Sequence, residues 1–161
     1  MDPHKIKEIR GTMTTLLRTD SGHQDFANLV KLLDAELAVR DGEDHSFYNQ
    51  FNSIAQIKFA VIAFENGKPK GCGAIKEMTK EAMEVKRMYI IPQSRSRGLA
   101  TLILQELERW AKELGYTRCV LETGKKQPEA IGLYRKSGYC QIPNYGQYSG
   151  VENSLCFEKK L

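Results

Sequence analysis

The chain has 161 residues, of which 41% are hydrophobic and 27% charged, and its formal net charge is +4. This length corresponds to about one domain of roughly 150 residues, and the composition is that of a globular protein rather than a disordered one. The longest purely apolar run is residues 59–64, whereas a membrane-spanning helix needs about 20 residues. No apolar signal segment opens the chain. We therefore expect a single cytoplasmic domain over residues 1–161, with no membrane partner.

The four cysteines and three histidines lie far apart in the chain. The cysteines form no CxxC pair, and the histidines have no metal-ligand spacing. Because no secretory signal is present, we expect reduced, partly buried thiols. No metal site is predicted.

Positive charge is concentrated in the middle of the chain. Residues 86–136 hold 11 Lys and Arg against 5 Asp and Glu, a net charge of +6, while residues 1–85 hold 11 against 13, a net charge of −2. Such a field favours an anionic ligand, although a solvated basic helix face would give the same count. Aromatic residues do not alternate with the basic ones as a nucleic-acid stacking surface requires. A phosphorylated small molecule therefore fits better than nucleic acid.

Hydrophobic periodicity predicts alternating strands and helices. Strands are predicted over 14–19, 58–65, 70–78, 83–91, 119–123, 139–142 and 154–158. Helices are predicted from an N-cap at Asp25 to residues 40–42, more weakly over 47–54, from Leu99 to Gly115, and from Gln127, with Pro128 at the first position, to Gly138. Asn66 and Gly67 are typical of a hairpin turn. The alternation with hairpins at both ends predicts an α/β (α+β) fold with a mixed sheet.

The most informative stretch is a strand, a polar loop and the start of a helix over residues 88–101. Unpaired N–H groups at a helix N-terminus, together with about half a positive charge from the helix dipole, can hold a pyrophosphate. Gly98 lets the backbone approach a phosphate, Ala100 is small, and Arg95 and Arg97 add positive charge. The stretch matches neither GxxxxGK[ST] nor GxGxxG. A basic turn before an ordinary helix remains the alternative.

Residues 95–100 read R-S-R-G-L-A, and residues 127–139 read Q-P-E-A-I-G-L-Y-R-K-S-G-Y. These motifs resemble the Q/R-x-x-G-x-G/A and N-x-x-A-x-x-x-Y-x-x-x-G-F/Y motifs of the GNAT superfamily of acetyl-CoA-dependent N-acetyltransferases. Specific motifs are confined to residues 83–140, while the order of elements agrees from about residue 14 to residue 160. Gln127 stands where the family often has Asn, which leaves open its contact with the pantetheine arm of the cofactor.

The resemblance implies a mixed central sheet of about six to seven strands, flanked by helices and splayed at the acetyl-CoA site. The backbone of Met88 and Ile90 is expected to pair with the pantetheine like an added strand. The N–H groups of residues 95–101 are expected to hold the pyrophosphate. The implied cofactor contacts are Met88, Tyr89, Ile90, Arg95, Ser96, Arg97, Gly98, Leu99, Ala100, Thr101, Gln127, Ala130 and Tyr134.

Direct acetyl transfer in a ternary complex needs a proton for the departing thiolate. Tyr134, one turn before Gly138, matches the tyrosine that resembling enzymes place against the cofactor sulfur, and is therefore the candidate acid. A half-buried aromatic residue on an amphipathic helix is the alternative.

The same reaction needs a base for the acceptor amine. Glu84 is the candidate because some members carry a glutamate at this strand position, while others use a water chain. Strand alternation predicts that Glu84 faces the same side as Lys86, Met88 and Ile90. Glu122, on the adjacent strand, is the second candidate.

The acceptor is expected opposite the cofactor, between the first helical region and the C-terminal strands. The expected lining is Arg40, Asp41, Glu43, Asp44, His45 and Tyr48 on one side and residues 144–148 on the other. Acidic groups beside a polar aromatic loop suit a cationic amine, whereas Arg40 would hold the carboxylate of an amino acid. We predict a small amine or amino-acid-like acceptor bound by Arg40, Asp41 and Tyr145, although a solvated helix-ending loop would have the same sequence.

Two other functions stay open at this point. One is a non-catalytic acyl-CoA-binding or regulatory domain, and the other is an acetyltransferase for protein lysines or N-termini. The resemblance also favours a homodimer, although the sequence itself does not encode an oligomeric state in readable form.

Overall fold

A computed structural model describes residues 4–9, 12–42 and 57–161, with residues 4–9 described by their backbone. Within these residues the strands are β1 His4–Ile9, β2 Thr12–Thr19, β3 Phe59–Glu65, β4 Lys68–Glu77, β5 Ala82–Ile90, β6 Arg118–Gly124, β7 Cys140–Ile142 and β8 Ser154–Lys160. The α-helices are α1 Gln24–Asp41, α2 Leu99–Glu113 and α3 Pro128–Lys136.

The strands form one mixed sheet in the order β1-β2-β3-β4-β5-β6-β8-β7. β5 and β6 are parallel and are connected through α2, whereas the other neighbouring strands are antiparallel. The predicted mixed α/β architecture is confirmed. The sheet has eight strands rather than six or seven because residues 4–9, which show no strong strand pattern, pair with β2.

The helices cover both faces of the sheet. α1 packs on one face through Phe26, Leu29, Val30 and Leu33. α2 and Tyr134 of α3 pack on the other face, in the larger hydrophobic cluster. We call these the α1 face and the α2 face. Full burial of each large apolar side chain contributes about 1.5–3 kcal/mol relative to exposure, so the two clusters fix the helices on the sheet.

The structure confirms the predicted hairpin turn and corrects the predicted N-cap of α1. Asn66 and Gly67 have φ of 51° and 81°, as the predicted hairpin turn requires. The N-cap of α1 is His23 rather than Asp25, because the His23 Nδ1 accepts a hydrogen bond from the Asp25 N–H at 3.1 Å. Asp25 instead lies in the first turn, where its charge complements the helix dipole. The predicted helix over 47–54 lies outside the described residues.

A β-bulge interrupts the pairing of β4 with β5. Cys72 is opposite Tyr89 and Ala74 is opposite Lys86, so two residues of β5 face Gly73 alone. One of them, Arg87, has a φ of 61°. A Cβ on Gly73 would lie 2.5 Å from the Met88 Sδ, so the glycine leaves the space into which Met88 packs.

The bulge reverses the facing of the residues that follow it. Lys86 and Glu84 share one side of the sheet, as predicted, and this side is the α1 face. Met88 and Ile90, however, pack into the cluster on the α2 face. The prediction that all four residues face one side is therefore wrong, because strict alternation fails once an extra residue is inserted.

All four cysteines are free, and three of them are buried. Burial raises the pKa of Cys72 and of Cys119 to about 12 and that of Cys156 to about 11, so these thiols are unreactive at neutral pH. Among the described helices, none combines the length and the apolar character that crossing a bilayer requires.

Candidate active site

The parallel strands β5 and β6 separate after the first three residues of each strand. Their Cα partners are Ala82–Arg118, Met83–Cys119 and Glu84–Val120, and the pairing stops there. Beyond this point β5 stays paired with β4 and β6 stays paired with β8. The gap between them opens into a cavity of about 600 Å³. The edge of β5 beyond Glu84 therefore faces the cavity instead of another described strand.

The N-terminus of α2 lies at this cavity. Gly98 is its N-cap with a φ of 85° and no side-chain cap, and Ser96 before it has a φ of 65°. The first N–H groups of an α-helix have no intrahelical partner. Ser96, Gly98 and the first helical residues line the cavity, so these N–H groups are available to an anion there.

Arg95 fastens this loop to the rest of the site. Its Nε donates a hydrogen bond to the Ile90 carbonyl at 2.8 Å, and its Nη2 lies 2.9 and 3.1 Å from the two carboxylate oxygens of Glu36 on α1. The guanidinium also lies over the Tyr89 ring, 5.5 Å from the centroid. Arg97 forms an ion pair with Glu65 at 3.2 Å and is not among the residues that line the cavity.

Tyr134 reaches the cavity from α3. Pro128 at the first position starts this helix, and the Tyr134 ring packs edge-on against Tyr139 at 5.8 Å between centroids. Burial, and then the nearby Glu122 charge, raise the pKa of Tyr134 above its usual range. The hydroxyl is therefore protonated at physiological pH and can donate a proton or a hydrogen bond.

Two carboxylates, Glu84 on β5 and Glu122 on β6, line the cavity where these strands separate. The Tyr145 hydroxyl donates a hydrogen bond to the Glu84 Oε2 at 2.6 Å, and the Lys86 Nζ lies 3.6 Å from the Glu84 Oε1. Burial and the charges of Glu84 and Asp41 raise the pKa of Glu122 to about 8, against the opposing effects of Lys86 and a Ser154 hydrogen bond. Within the described part of the chain, no cluster of three or more His, Cys, Asp or Glu side chains is arranged to hold a metal ion.

The end of α1 closes the same region. The Arg40 Nη1 lies 3.0 Å from the Glu129 Oε2 at the start of α3. A backbone hydrogen bond, and then Arg40, lower the pKa of Glu129. Asp41 is buried and lines the cavity. Glu43, Asp44, His45 and Tyr48 lie outside the described residues.

Comparison with known proteins settles the family. Residues 26–139 match the model of the acetyltransferase (GNAT) family. This chain belongs to that family. The chain is 36% identical over 150 residues to the IAA acetyltransferase of Azospirillum brasilense, and this match covers 91% of this chain and 97% of that protein.

Solved structures agree with the family. A Klebsiella pneumoniae protein assigned as an acyl-CoA N-acyltransferase superposes with a TM-score of 0.78 at 29% identity, over 92% of this chain and 97% of the other. The PaiA N-acetyltransferase of Thermoplasma acidophilum, solved with coenzyme A, gives a TM-score of 0.69 at 17% identity, over 92% and 99% of the two chains, and shares the fold. The protein is thus a GNAT-type acyltransferase.

The GNAT fold gathers most of the residues that the sequence singled out. The cavity is lined by Arg40, Asp41, Glu84, Met88, Tyr89, Ile90, Arg95, Ser96, Gly98, Leu99, Ala100, Thr101, Gln127, Ala130 and Tyr134. Arg97 is outside that lining, and Tyr145 reaches the site through Glu84.

Other lining residues were missed by sequence reasoning. They include Leu33, Glu36 and Leu37 on α1 and Gly124 at the end of β6, whereas Tyr148, in the turn before β8, belongs to the predicted acceptor loop. The one available signal was the spacing of Glu36 and Arg40, which are four residues apart and therefore share one helix face. The contact between α1 and the cavity itself is a tertiary feature.

Proposed function

We propose that this GNAT enzyme transfers the acetyl group of acetyl-CoA directly to the primary amine of a small, cationic or amino-acid-like acceptor, in a ternary complex. One observation carries the proposal. A single cavity brings together the open edge of β5, the N-terminus of α2, a buried phenol and two carboxylates. These are the groups that binding the cofactor and moving two protons require.

The residues present fit acetyl-CoA. The open edge of β5 offers backbone groups to the amides of an extended pantetheine, as in strand addition. The uncapped N–H groups after Gly98 suit a pyrophosphate. The net charge of +6 over residues 86–136 favours a polyanion. Gln127 and Ala130 line the same cavity.

When bound, acetyl-CoA supplies an acetyl thioester whose sulfur leaves as a thiol. Tyr134 holds the proton that this sulfur needs, since its raised pKa keeps the phenol protonated. Glu84 and Glu122 line the cavity and are the two candidate bases for the proton that the acceptor ammonium must lose. General acid–base groups of this kind contribute about 10²- to 10⁴-fold each to the rate.

The acceptor is proposed to enter beside Asp41 and Glu84. These carboxylates suit an ammonium group, and Arg40 is placed to exchange its Glu129 partner for a substrate carboxylate. Because a relative at 36% identity is an IAA acetyltransferase, IAA belongs in the set of acceptors to test. A small acceptor agrees with a site bounded by α1 and by the loop that carries Tyr145.

Two measurements test the proposal. Acetyl-CoA at about 100 times its Kd is expected to add about 2.7 kcal/mol to the free energy of unfolding. Thiol release is then followed with amines, amino acids, IAA and a lysine peptide, on wild type, Arg40→Ala and Tyr145→Phe. No stabilisation at millimolar acetyl-CoA would refute cofactor binding. A lysine peptide as the best acceptor, or an acceptor preference unchanged in both variants, would refute the assigned acceptor site.

A further inference from the structure

We propose that Glu122, rather than Glu84, takes the proton from the acceptor ammonium, while Glu84 stays paired with Tyr145 and Lys86 beside it. This inference rests on the proposed function and names the base within it. It assigns different tasks to two carboxylates that the sequence places on adjacent strands.

The strand register places Glu122 at the opening. Glu84 is the last residue of β5 that pairs with β6, opposite Val120. Glu122 follows two residues later, so it shares the facing of Val120 but lies where the strands have separated. Its partner on β8 is Cys156, which packs with Tyr145 and Tyr148. Glu122 thus faces the space that a bound acceptor would enter.

Both oxygens of Glu84 are already engaged. The Oε2 accepts the Tyr145 hydroxyl at 2.6 Å, and the Oε1 faces the Lys86 ammonium at 3.6 Å. A phenol and an ammonium both stabilise the charged form of a carboxylate. Taking up a proton at Glu84 would therefore weaken both interactions.

Glu122 has a different set of neighbours. The groups around it are Glu84 and Lys86 on β5, Asp41 on α1, Ser154 on β8, Tyr134 on α3 and Tyr148 in the turn before β8. Burial opposes its ionisation most, and the two carboxylates add to this, while Lys86 and Ser154 favour ionisation. The pKa of Glu122 rises to about 8 as a result. A base is most effective when its pKa lies near the working pH.

The proposed step is a simple proton transfer. An N–H bond of the acceptor ammonium breaks, an O–H bond forms on Glu122, and the electron pair stays on the nitrogen as the lone pair of a neutral amine. The Glu122 carboxyl later returns its proton to solvent through the cavity. No oxidant, reductant or metal takes part.

The first test is the pH dependence of kcat/KM for the amine found in the thiol-release panel. In wild type, kcat/KM is expected to rise with pH through a midpoint near 8. Glu122→Gln is expected to lose this rise and about 10²- to 10⁴-fold in kcat. Glu84→Gln is expected to keep the rise but with a midpoint at lower pH, because burial and Asp41 still raise the pKa of Glu122 while the contribution of Glu84 is gone. Glu158→Gln, a sheet carboxylate outside the cavity lining, is the matched control.

The second test needs no turnover. Carboxyl ¹³C shifts of the free protein are followed with pH, and the Glu122 signal is assigned from its loss in Glu122→Gln. A Glu122 midpoint near 8 supports the inference, while a midpoint near 4.5 overturns it. Loss of the pH-dependent rise in Glu84→Gln, with its retention in Glu122→Gln, overturns it as well. Failure of the proposed function appears separately, as no thiol release by wild type with any amine.

Discussion

Tyr134 is the side chain on which the proposed chemistry depends most directly. Tyr134 lines the cavity, and its pKa is raised by burial and by the Glu122 charge. The phenol is therefore protonated at physiological pH, as the proposed proton-donating role requires. The ring packs against Tyr139, so the position of the hydroxyl is fixed by the core as well as by α3.

Replacing Tyr134 with Phe is expected to lower kcat by about 10²- to 10⁴-fold, because the ring still packs but the proton donor is gone. The Kd of acetyl-CoA is expected to change by less than about threefold. Steady-state kinetics and calorimetric binding measure the two quantities. Tyr116→Phe, which removes a hydroxyl bound to Glu77 away from the cavity, is the control. Equal kcat in the two variants would remove Tyr134 from the mechanism.

Glu122 also links the site to global stability. A carboxyl whose pKa is higher in the folded state stabilises the fold in its protonated form. That stabilisation is complete below about pH 4.5, the ordinary pKa of a glutamate, and is lost as the pH rises to about 8, the pKa of Glu122 in the folded protein.

Glu122→Gln is therefore expected to gain stability relative to wild type as the pH rises across this window, by about 1.4 kcal/mol per pH unit at most. Urea unfolding at about pH 5 and about pH 8.5 measures the difference, with Glu158→Gln as the control. A constant difference between variant and wild type at both pH values would show that Glu122 ionises normally.

At the scale of elements, the bulge in β5 decides how that strand presents its edge. It depends on Gly73, where an added Cβ would lie 2.5 Å from the Met88 Sδ and 2.9 Å from side-chain atoms of Ile103 and Leu107. The Cys72 thiol donates a hydrogen bond to the Arg87 carbonyl at 3.3 Å, and the Arg87 Nη1 bonds Asp34 of α1 at 2.8 Å. The bulge is thus tied to the neighbouring strand and to α1.

Gly73→Ala is expected to lower the free energy of unfolding by about 1–3 kcal/mol, since the methyl group overfills the packed contact. It is also expected to weaken acetyl-CoA binding, because Met88, which lines the cavity, must move. Chemical unfolding and ligand titration measure both effects. In Gly132→Ala the added methyl meets nothing within 4 Å, and a gain of up to about 1 kcal/mol is expected there. Equal stability of the two variants would contradict the packing argument.

At the scale of the whole molecule, basic residues lie at different distances from the cavity. Lys136 lines the cavity, whereas Lys160 is exposed at the opposite end, where β8 pairs with the start of β6. A polyanionic ligand feels the nearer charge more strongly, and salt screens the difference beyond about 10 Å at 0.1 M.

Lys136→Gln is therefore expected to raise the Kd of coenzyme A about three- to tenfold at low salt, and Lys160→Gln to leave it nearly unchanged. The two variants are expected to converge at about 0.5 M salt. Isothermal titration at several salt concentrations measures the effect. An equal change in both variants would indicate a response to net charge rather than to position.

The sequence by itself determined the elements and the family. Hydrophobic spacing, Asn66-Gly67, Pro128 and Gly138 are local signals whose consequences are local, so the boundaries of most strands and helices follow from them. The R-S-R-G-L-A loop and Tyr134 were readable for the same reason, since each motif acts through a few consecutive residues. The six- to seven-strand expectation fell short by one because β1 forms through pairing rather than through its own pattern.

Only the tertiary structure decided what these elements present to the cavity. The bulge opposite Gly73 reversed the facing of Met88 and Ile90, because an inserted residue breaks the strand alternation. The sequence alone does not reveal that insertion. The pairing of Arg95 with Glu36 and the raised pKa of Glu122 arise from groups brought together by folding. Charge interactions and burial depend on distance in space, so their consequences appear only once the strands and helices are assembled.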